Sequence, residues 1–450
     1  MADRLAPGAP YRTIDLGGGA TAPFYIVPFD RDGVCTGPVT ARNLLATVAT
    51  QRPTDVFLFS HGWNNDWKAA TARYDQFIAG FARMRAEHPL DRPFRPVLVG
   101  IVWPSTALVA PWEQAPDIAA TDGDDDAVAE ERAEVAEVAA IVPEEKRALF
   151  YELAQRQDLS DAEAAEFAGL VVPAFEGGDE VDTAEPDAES VLEVWRSLPG
   201  RPAAIPTEFG RVQWPGADVA GDEARAEAAA DARAAGLLQA LDPRGLVRLA
   251  TVLLMKDRAG RVGGRGVADL LESLLATSDA RVHLVGHSYG AKVVLSALAA
   301  KPHSRPVESV LLLQPAVSHL CFAADVDGAG RPGGYRPALA RTRQPIMTTY
   351  SRHDFPLTKV FHWAVRRPSD LGEVVIAGAP NRYAALGGFG PGGVEGEVTR
   401  VVAAVPPHPY DPPEPGSRLV AVEASTVIKG HGEVQVPATF WMLLTQVARS

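Results

Sequence analysis

A serine hydroxyl acts as a nucleophile only when a base can take its proton and the backbone presents it openly. Residues Gly286-His287-Ser288-Tyr289-Gly290 have the form such a presentation needs. The run Val282 to Val285 before them is short and apolar, like a buried strand. Lys292, Val293, Val294 and Leu295 after them follow a helical apolar pattern. Glycine two residues to either side of Ser288 leaves room for strand, helix and substrate to approach one another. The five-residue pattern alone arises by chance in a glycine-rich chain, so the inference rests on the flanking strand and helix.

The base would be His431, in Ile428-Lys429-Gly430-His431-Gly432, because this loop lies between the last apolar strand pattern and the closing helix pattern. Its orienting carboxylate would be Asp354, in the run Tyr350-Ser351-Arg352-His353-Asp354-Phe355 that leaves another apolar strand. The chain order Ser288, Asp354, His431 then matches a strand-to-helix nucleophile turn followed by acid and base. His353, His362 and His408 are weaker bases, and Asp325, Asp327 and Asp370 are weaker acids, since none combines a strand end with the right order. His287 is expected to point away from the reacting centre into the core. Two backbone donors should face the developing oxyanion: the N–H of Tyr289, just after the nucleophile, and that of Trp63, with Gly62 allowing close approach and His61 structural. Trp63, Trp67, Trp103 and Trp112 all fall at strand ends. With Gly62, Trp67 and Trp103 are the candidate substrate contacts, walls of an apolar acyl pocket.

These groups need a scaffold of parallel strands that delivers loops to one edge. Tyr11 to Leu16 and Pro23 to Pro28 read as short strands around a glycine turn, Thr40 to Thr50 as a helix, and Val56 to Ser60 as a strand buried on both faces. A helix pattern through Phe77, Ile78, Phe81 and Met84 follows, then a strand from Pro96 to Trp103. Leu246 to Met255 and Val267 to Ala276 read as helices, joined by the basic glycine-rich run Lys256 to Gly266, which is expected to be a surface turn. Ser309 to Gln314, Pro345 to Ser351 and Ser417 to Glu423 read as strands, with helices from Leu357 to Val365 and Ala438 to Ala448.

Between these halves the alternation stops. From Glu113 to Arg233 there are 31 acidic and 9 basic residues, a net charge of −22 that leaves +8 for the rest of a chain whose total is −14. The chain therefore divides into core residues 1–110, an acidic insertion 111–242 and core residues 243–450. The insertion reads as a helical cap or lid that buries little on its own, with helical pieces at Asp126 to Ile141 and Ser160 to Leu170, where Ser160 and Glu163 form a capping box. Asp122, Asp124 and Asp126 resemble the start of a calcium loop, but Ala127 and Ala133 stand where that loop needs glycine and glutamate. The negative charge argues against nucleic acid as a partner. No apolar run is long enough for an integral membrane segment, and MADRLAPGAP is no secretion leader, so a cytoplasmic protein is expected. Cys35 and Cys321 lie in no metal or disulfide spacing and read as buried free thiols.

Taken together, SHGWNN, VWPS, LVGHSYG, YSRHD, ALGG and the late GHG resemble the α/β-hydrolase superfamily, and within it a bacterial esterase or lipase-like branch. The resemblance covers Tyr11 to Ala110 and Pro243 to Ser450. It implies an α/β-hydrolase fold, a mostly parallel sheet flanked by helices, carrying a large mainly helical acidic insertion. Catalytic roles carry over to Ser288, Asp354 and His431 and oxyanion roles to Trp63 and Tyr289, with no cofactor and no metal. The insertion departs from the pattern, since caps in this superfamily more often follow the strand after the elbow. The expected activity is hydrolysis of a small carboxylic ester through an acyl-enzyme on Ser288. Amide or thioester hydrolysis would use the same triad, and an interaction protein on a hydrolase fold is the reading from another class.

Overall fold

The structure is a computed structural model. It describes residues 8–63, 65, 67–105, 132, 134–156, 159–175, 187–197, 243–326, 328, 330–354, 356–360, 384–408, 410 and 414–450. Among these residues, nine strands form one sheet in the order β1-β2-β4-β3-β5-β6-β7-β9-β8. They are β1 (Arg12–Asp15), β2 (Thr21–Pro28), β3 (Asp55–Ser60), β4 (Pro96–Val102), β5 (Arg281–His287), β6 (Ser309–Leu313), β7 (Ile346–Tyr350), β8 (Val398–Val402) and β9 (Leu419–Glu423). Only β1 runs antiparallel to its neighbour; every other pairing is parallel.

Parallel strands need crossovers that cover both faces, which explains the unbroken apolar runs of β3 and β4. On one face lie α1 (Pro38–Gln51), α6 (Pro243–Val262), α7 (Ala268–Thr277) and α8 (Tyr289–Ala300), packed over Leu58, Val99, Val282 and Leu284. The other face carries α2 (Trp67–Glu87) and α9 (Pro437–Ala448), which meet each other over Phe57, Phe59, Val285 and Val422. From β3 the chain moves to β4 on one side, and it later returns to β5 on the other. The carboxyl ends of β3 and β5 therefore flank a topological switch point, where open parallel sheets form their crevices.

Two expectations change. The run Lys256 to Gly266 is no turn: α6 continues to Val262 and passes through a π-helical turn, Gly263–Val267, straight into α7. A Cβ on Gly263 would lie 2.3 Å from the Val293 carbonyl oxygen, so glycine here permits close helix contact with α8. Tertiary packing overrides the local breaker signal. The strand β8, Val-Thr-Arg-Val-Val, is also additional, a short edge strand outside β9. It makes β7 and β9 neighbours in space although β8 separates them in sequence.

The insertion's described part is helical, at residues 134–139 and in α3 (Arg147–Ala154), α4 (Asp161–Val171) and α5 (Ala188–Ser197). The Ser160–Glu163 capping box is present at the start of α4. Phe150, Phe167 and Trp195 are buried, with Phe150 stacked on Phe167 at 5.4 Å, and α3 and α4 pack against α6. The described part buries more than its composition suggests, and it does so against α6 of the core as well as within itself, with Phe150, Phe167 and Trp195 buried. Buried Arg258 of α6 donates to the Pro104 carbonyl at 2.9 Å and to Glu137, joining the insertion to the exit of β4. Asp122, Asp124 and Asp126 lie outside the described residues, as does Trp112. Neither cysteine is in a disulfide; Cys321 is buried as expected, whereas Cys35 is only partly buried, and no helix among the described residues is long and apolar enough to cross a membrane.

Candidate active site

Ser288 sits between the last residue of β5 and the first of α8 with φ 56°, a left-handed conformation that is costly for a serine and holds its side chain out of the turn. The turn is tied down around it. The Ser288 N–H donates to the Leu313 carbonyl at 3.1 Å, and the Ser288 carbonyl accepts from Ala291 and Ala316. A Cβ on Gly290 would lie 2.1 Å from the Ser60 carbonyl oxygen, so the helix can start this close to β3 only with glycine there.

His431 comes from the loop between β9 and α9. Its Nε2 lies 2.8 Å from Ser288 Oγ and its Nδ1 lies 2.7 Å from Asp354 Oδ2. The tautomer that fits both contacts carries hydrogen on Nδ1, donating to the carboxylate, and accepts the serine proton on Nε2. Ser288, His431 and Asp354 are 4%, 3% and 0% exposed, so these contacts work in a low dielectric. The loops that carry acid and base are joined to each other: Ser351 Oγ donates to the Ile428 carbonyl at 2.8 Å, and the Arg352 N–H donates to Ser425 Oγ at 3.1 Å. Asp354 is held further by the Leu357 N–H on Oδ1 at 3.0 Å and the Gln314 amide on Oδ2 at 2.8 Å.

Opposite the serine runs the loop after β3. A Cβ on Gly62 would lie 2.7 Å from the Ser288 Cβ, so this loop runs against the serine. This loop is held by side chains. Asn65 Nδ2 donates to the carbonyls of Gly62, at 3.1 Å, and Trp63, at 2.7 Å. Arg73 Nε donates to Asn65 Oδ1 at 2.7 Å, and Ser105 Oγ both accepts the Asn65 N–H and donates to its carbonyl. His61 faces the other way. Its Nε2 accepts the Trp103 N–H at 3.3 Å, its Nδ1 donates to the Gly62 carbonyl at 2.9 Å, and its ring stacks on Trp103. Burial, helped by the nearby Arg73 charge and opposed by the Gly62 bond, lowers the His61 pKa to about 4. His61 is therefore a neutral structural group. Tyr289, the first residue of α8, is buried, and its hydroxyl lies 3.4 Å from the Val252 carbonyl of α6.

The tryptophans divide. Trp63 belongs to the loop beside Ser288. Trp103 is 1% exposed and its indole N–H donates to the His61 carbonyl at 3.2 Å, so it supports the loop from behind and does not wall a pocket. Trp67, at the start of α2, stands edge-on to Tyr11, the residue before β1. His287 hydrogen-bonds and packs inside the fold, as expected, although its partner is the base-bearing loop. The strand pleat turns it, with Val285, to the face covered by α9, where Nε2 bonds the His431 carbonyl at 2.9 Å and the two rings lie 5.1 Å apart. Burial and then the neighbouring charge positions of His431 and Arg73 hold its pKa well below the usual histidine range. Of the weaker alternatives, His353 is exposed, His408 accepts the Trp441 indole N–H through its carbonyl, and Asp325 caps the Gly328 N–H. His362, Asp327 and Asp370 lie outside the described residues.

Among the described residues no group of three or more histidine, cysteine, aspartate or glutamate side chains is gathered as a metal would require. Sequence reasoning missed Gln314, Asn65 and Ser105. The last two stand in the SHGWNN and VWPS runs, but amide and hydroxyl groups announce no chemistry until the fold shows what they hold. Comparison with protein-family models, with curated protein sequences and with solved structures returns no match for this chain.

Proposed function

We propose that the protein is a serine hydrolase of the α/β-hydrolase fold that cleaves carboxylic esters. One observation carries the reading: the unbroken relay Ser288 Oγ to His431 Nε2 at 2.8 Å and His431 Nδ1 to Asp354 Oδ2 at 2.7 Å, with the serine on a left-handed strand-to-helix turn. The strand order supports the fold reading, with nucleophile after β5, acid after β7 and base after β9.

In the reaction, Ser288 Oγ attacks the acyl carbon as His431 Nε2 takes its proton, and the imidazolium so formed faces the Asp354 carboxylate. The N–H groups of Tyr289 and Trp63 receive the oxyanion. The first starts a helix and the second belongs to the loop that Asn65 holds, so both donors are fixed before the charge develops. His431 then returns its proton to the leaving alcohol, whose departure leaves an ester on Ser288. A water molecule, deprotonated by the same histidine, releases the acid. Ester is the favoured substrate, and amide or thioester cleavage would use the same relay.

Pre-steady-state hydrolysis of p-nitrophenyl acetate tests this directly. A burst of nitrophenolate close to one per chain, with an acetyl group mapped to the peptide containing Ser288, is expected. Turnover without any acyl intermediate, or acetylation elsewhere, would overturn the reading.

A further inference from the structure

Gln314 follows the last residue of β6 and is fully buried, with φ 44°. A positive φ is strained for any residue with a Cβ. Its backbone N–H donates to Thr349 Oγ1 at 2.9 Å. Its side-chain Nε2 donates to Asp354 Oδ2 at 2.8 Å and to the Gly387 carbonyl at 3.0 Å, while Oε1 has no partner among the described residues. The amide cannot turn over, because Oε1 would then face two acceptors. The position therefore combines a strained backbone with a buried carbonyl oxygen that has no partner among the described residues.

What the amide supplies is a second donor to the oxygen that already accepts from His431. With the Leu357 N–H on Oδ1, the carboxylate is held from three directions. The donor's neutrality is the informative property. A guanidinium or ammonium here would fix Asp354 equally well, but it would cancel the negative charge that the imidazolium needs. We infer that Gln314 is a positioning residue for this relay, a neutral clamp that orients Asp354 without neutralising it; the inference rests on the serine-hydrolase reading.

The test uses the full chain, p-nitrophenyl acetate from about pH 5 to 10, and a fluorophosphonate probe. In Gln314→Leu the donor is gone, and kcat is expected to fall about 10- to 100-fold with KM little changed, since a small misplacement of the relay has that cost. Gln314→Glu keeps the shape and discriminates further. While its carboxyl is protonated it can donate to Asp354; as that proton leaves with rising pH, two carboxylates face each other and the relay is disturbed. A new alkaline fall in activity is therefore expected, absent from the wild type. A purely structural role would lower the melting temperature of both variants and move neither kcat nor the pH profile. Wild-type kcat in Gln314→Leu, or an unchanged profile in Gln314→Glu, overturns the role of Gln314. If Gln314→Leu does not fold, the Gln314→Glu profile decides alone. A wild type that fails to react with the probe removes the hydrolase reading itself, which is a separate outcome.

Discussion

At the amino ends of β3, β5 and β6, Ser309 Oγ lies 2.8 Å from His283 Nδ1, and His283 Nε2 lies 3.1 Å from Asp55 Oδ1. At the carboxyl ends of the same sheet, Ser288, His431 and Asp354 meet at 2.8 and 2.7 Å. Distances alone would call both of them triads. Their surroundings differ in two ways. Ser309 lies inside a ladder with His283 as its registered partner and has no exposed turn, whereas Ser288 occupies a left-handed turn beside the loop of Gly62. Most of all, Arg92 forms a two-pronged ion pair with Asp55 and also donates to the Val447 carbonyl, while among the described residues Asp354 has only neutral donors besides the histidine. Burial alone would push the Asp55 carboxyl up. The bonds from Arg92, His283 and Thr54 more than offset this and hold it well below the usual carboxylate range. One arrangement is built to stay charged and paired; in the other, neutral donors hold a carboxylate against an imidazole.

Substitutions should separate the two ends. Ser288→Ala is expected to lower ester turnover roughly 100,000-fold or more with little change in melting temperature, measured by steady-state kinetics and calorimetry. Arg92→Met should do the reverse. It leaves Asp55 buried without its cation and should cost about 3–5 kcal/mol of stability in denaturant titration, while the folded fraction keeps its turnover. Acid should reach the site end first. His61 has a folded pKa of about 4 against an ordinary value near 6.5, so the neutral form is favoured in the fold. Its stabilising effect is complete above pH 6.5 and is lost as pH falls toward 4, about 3 kcal/mol in all, and His61→Asn should remove that slope. Asp55, with its depressed pKa, contributes above its ordinary value near 4 and loses that contribution only at more acid pH. Asn65→Ala frees the carbonyls of Gly62 and Trp63 and should lower kcat up to about 100-fold, less than deleting an oxyanion donor outright. Ser309→Ala should be the mildest, about 1 kcal/mol of stability and no change in kcat.

The contrast also explains what was legible in the sequence. Ser288, Asp354 and His431 could be picked because each lies in a short motif at the end of an apolar strand, and chain order did the rest. The parallel sheet flanked by helices could be read from strands and helices that alternate. Asp55 and His283 could not be paired, because 228 residues separate them and a histidine inside an apolar strand carries no local signal. Gln314 was hidden for the same reason, an amide at the end of an apolar strand whose partner lies 40 residues on. The glycines of Lys256 to Gly266 misled, because glycine for close helix contact and glycine for a turn look alike in sequence. Trp103 misled in another way: a strand-end position does not tell whether the ring faces the crevice or, as here, the back of the loop.

The central claim is that Ser288, and no other serine, is the nucleophile. Reaction of the full chain with a fluorophosphonate probe, followed by intact mass and peptide mapping, tests it most directly. One label per chain on Ser288 is expected, lost in Ser288→Ala and retained at the wild-type rate in Ser309→Ala. A folded wild type that takes no label, or a label that persists in Ser288→Ala, would contradict the account.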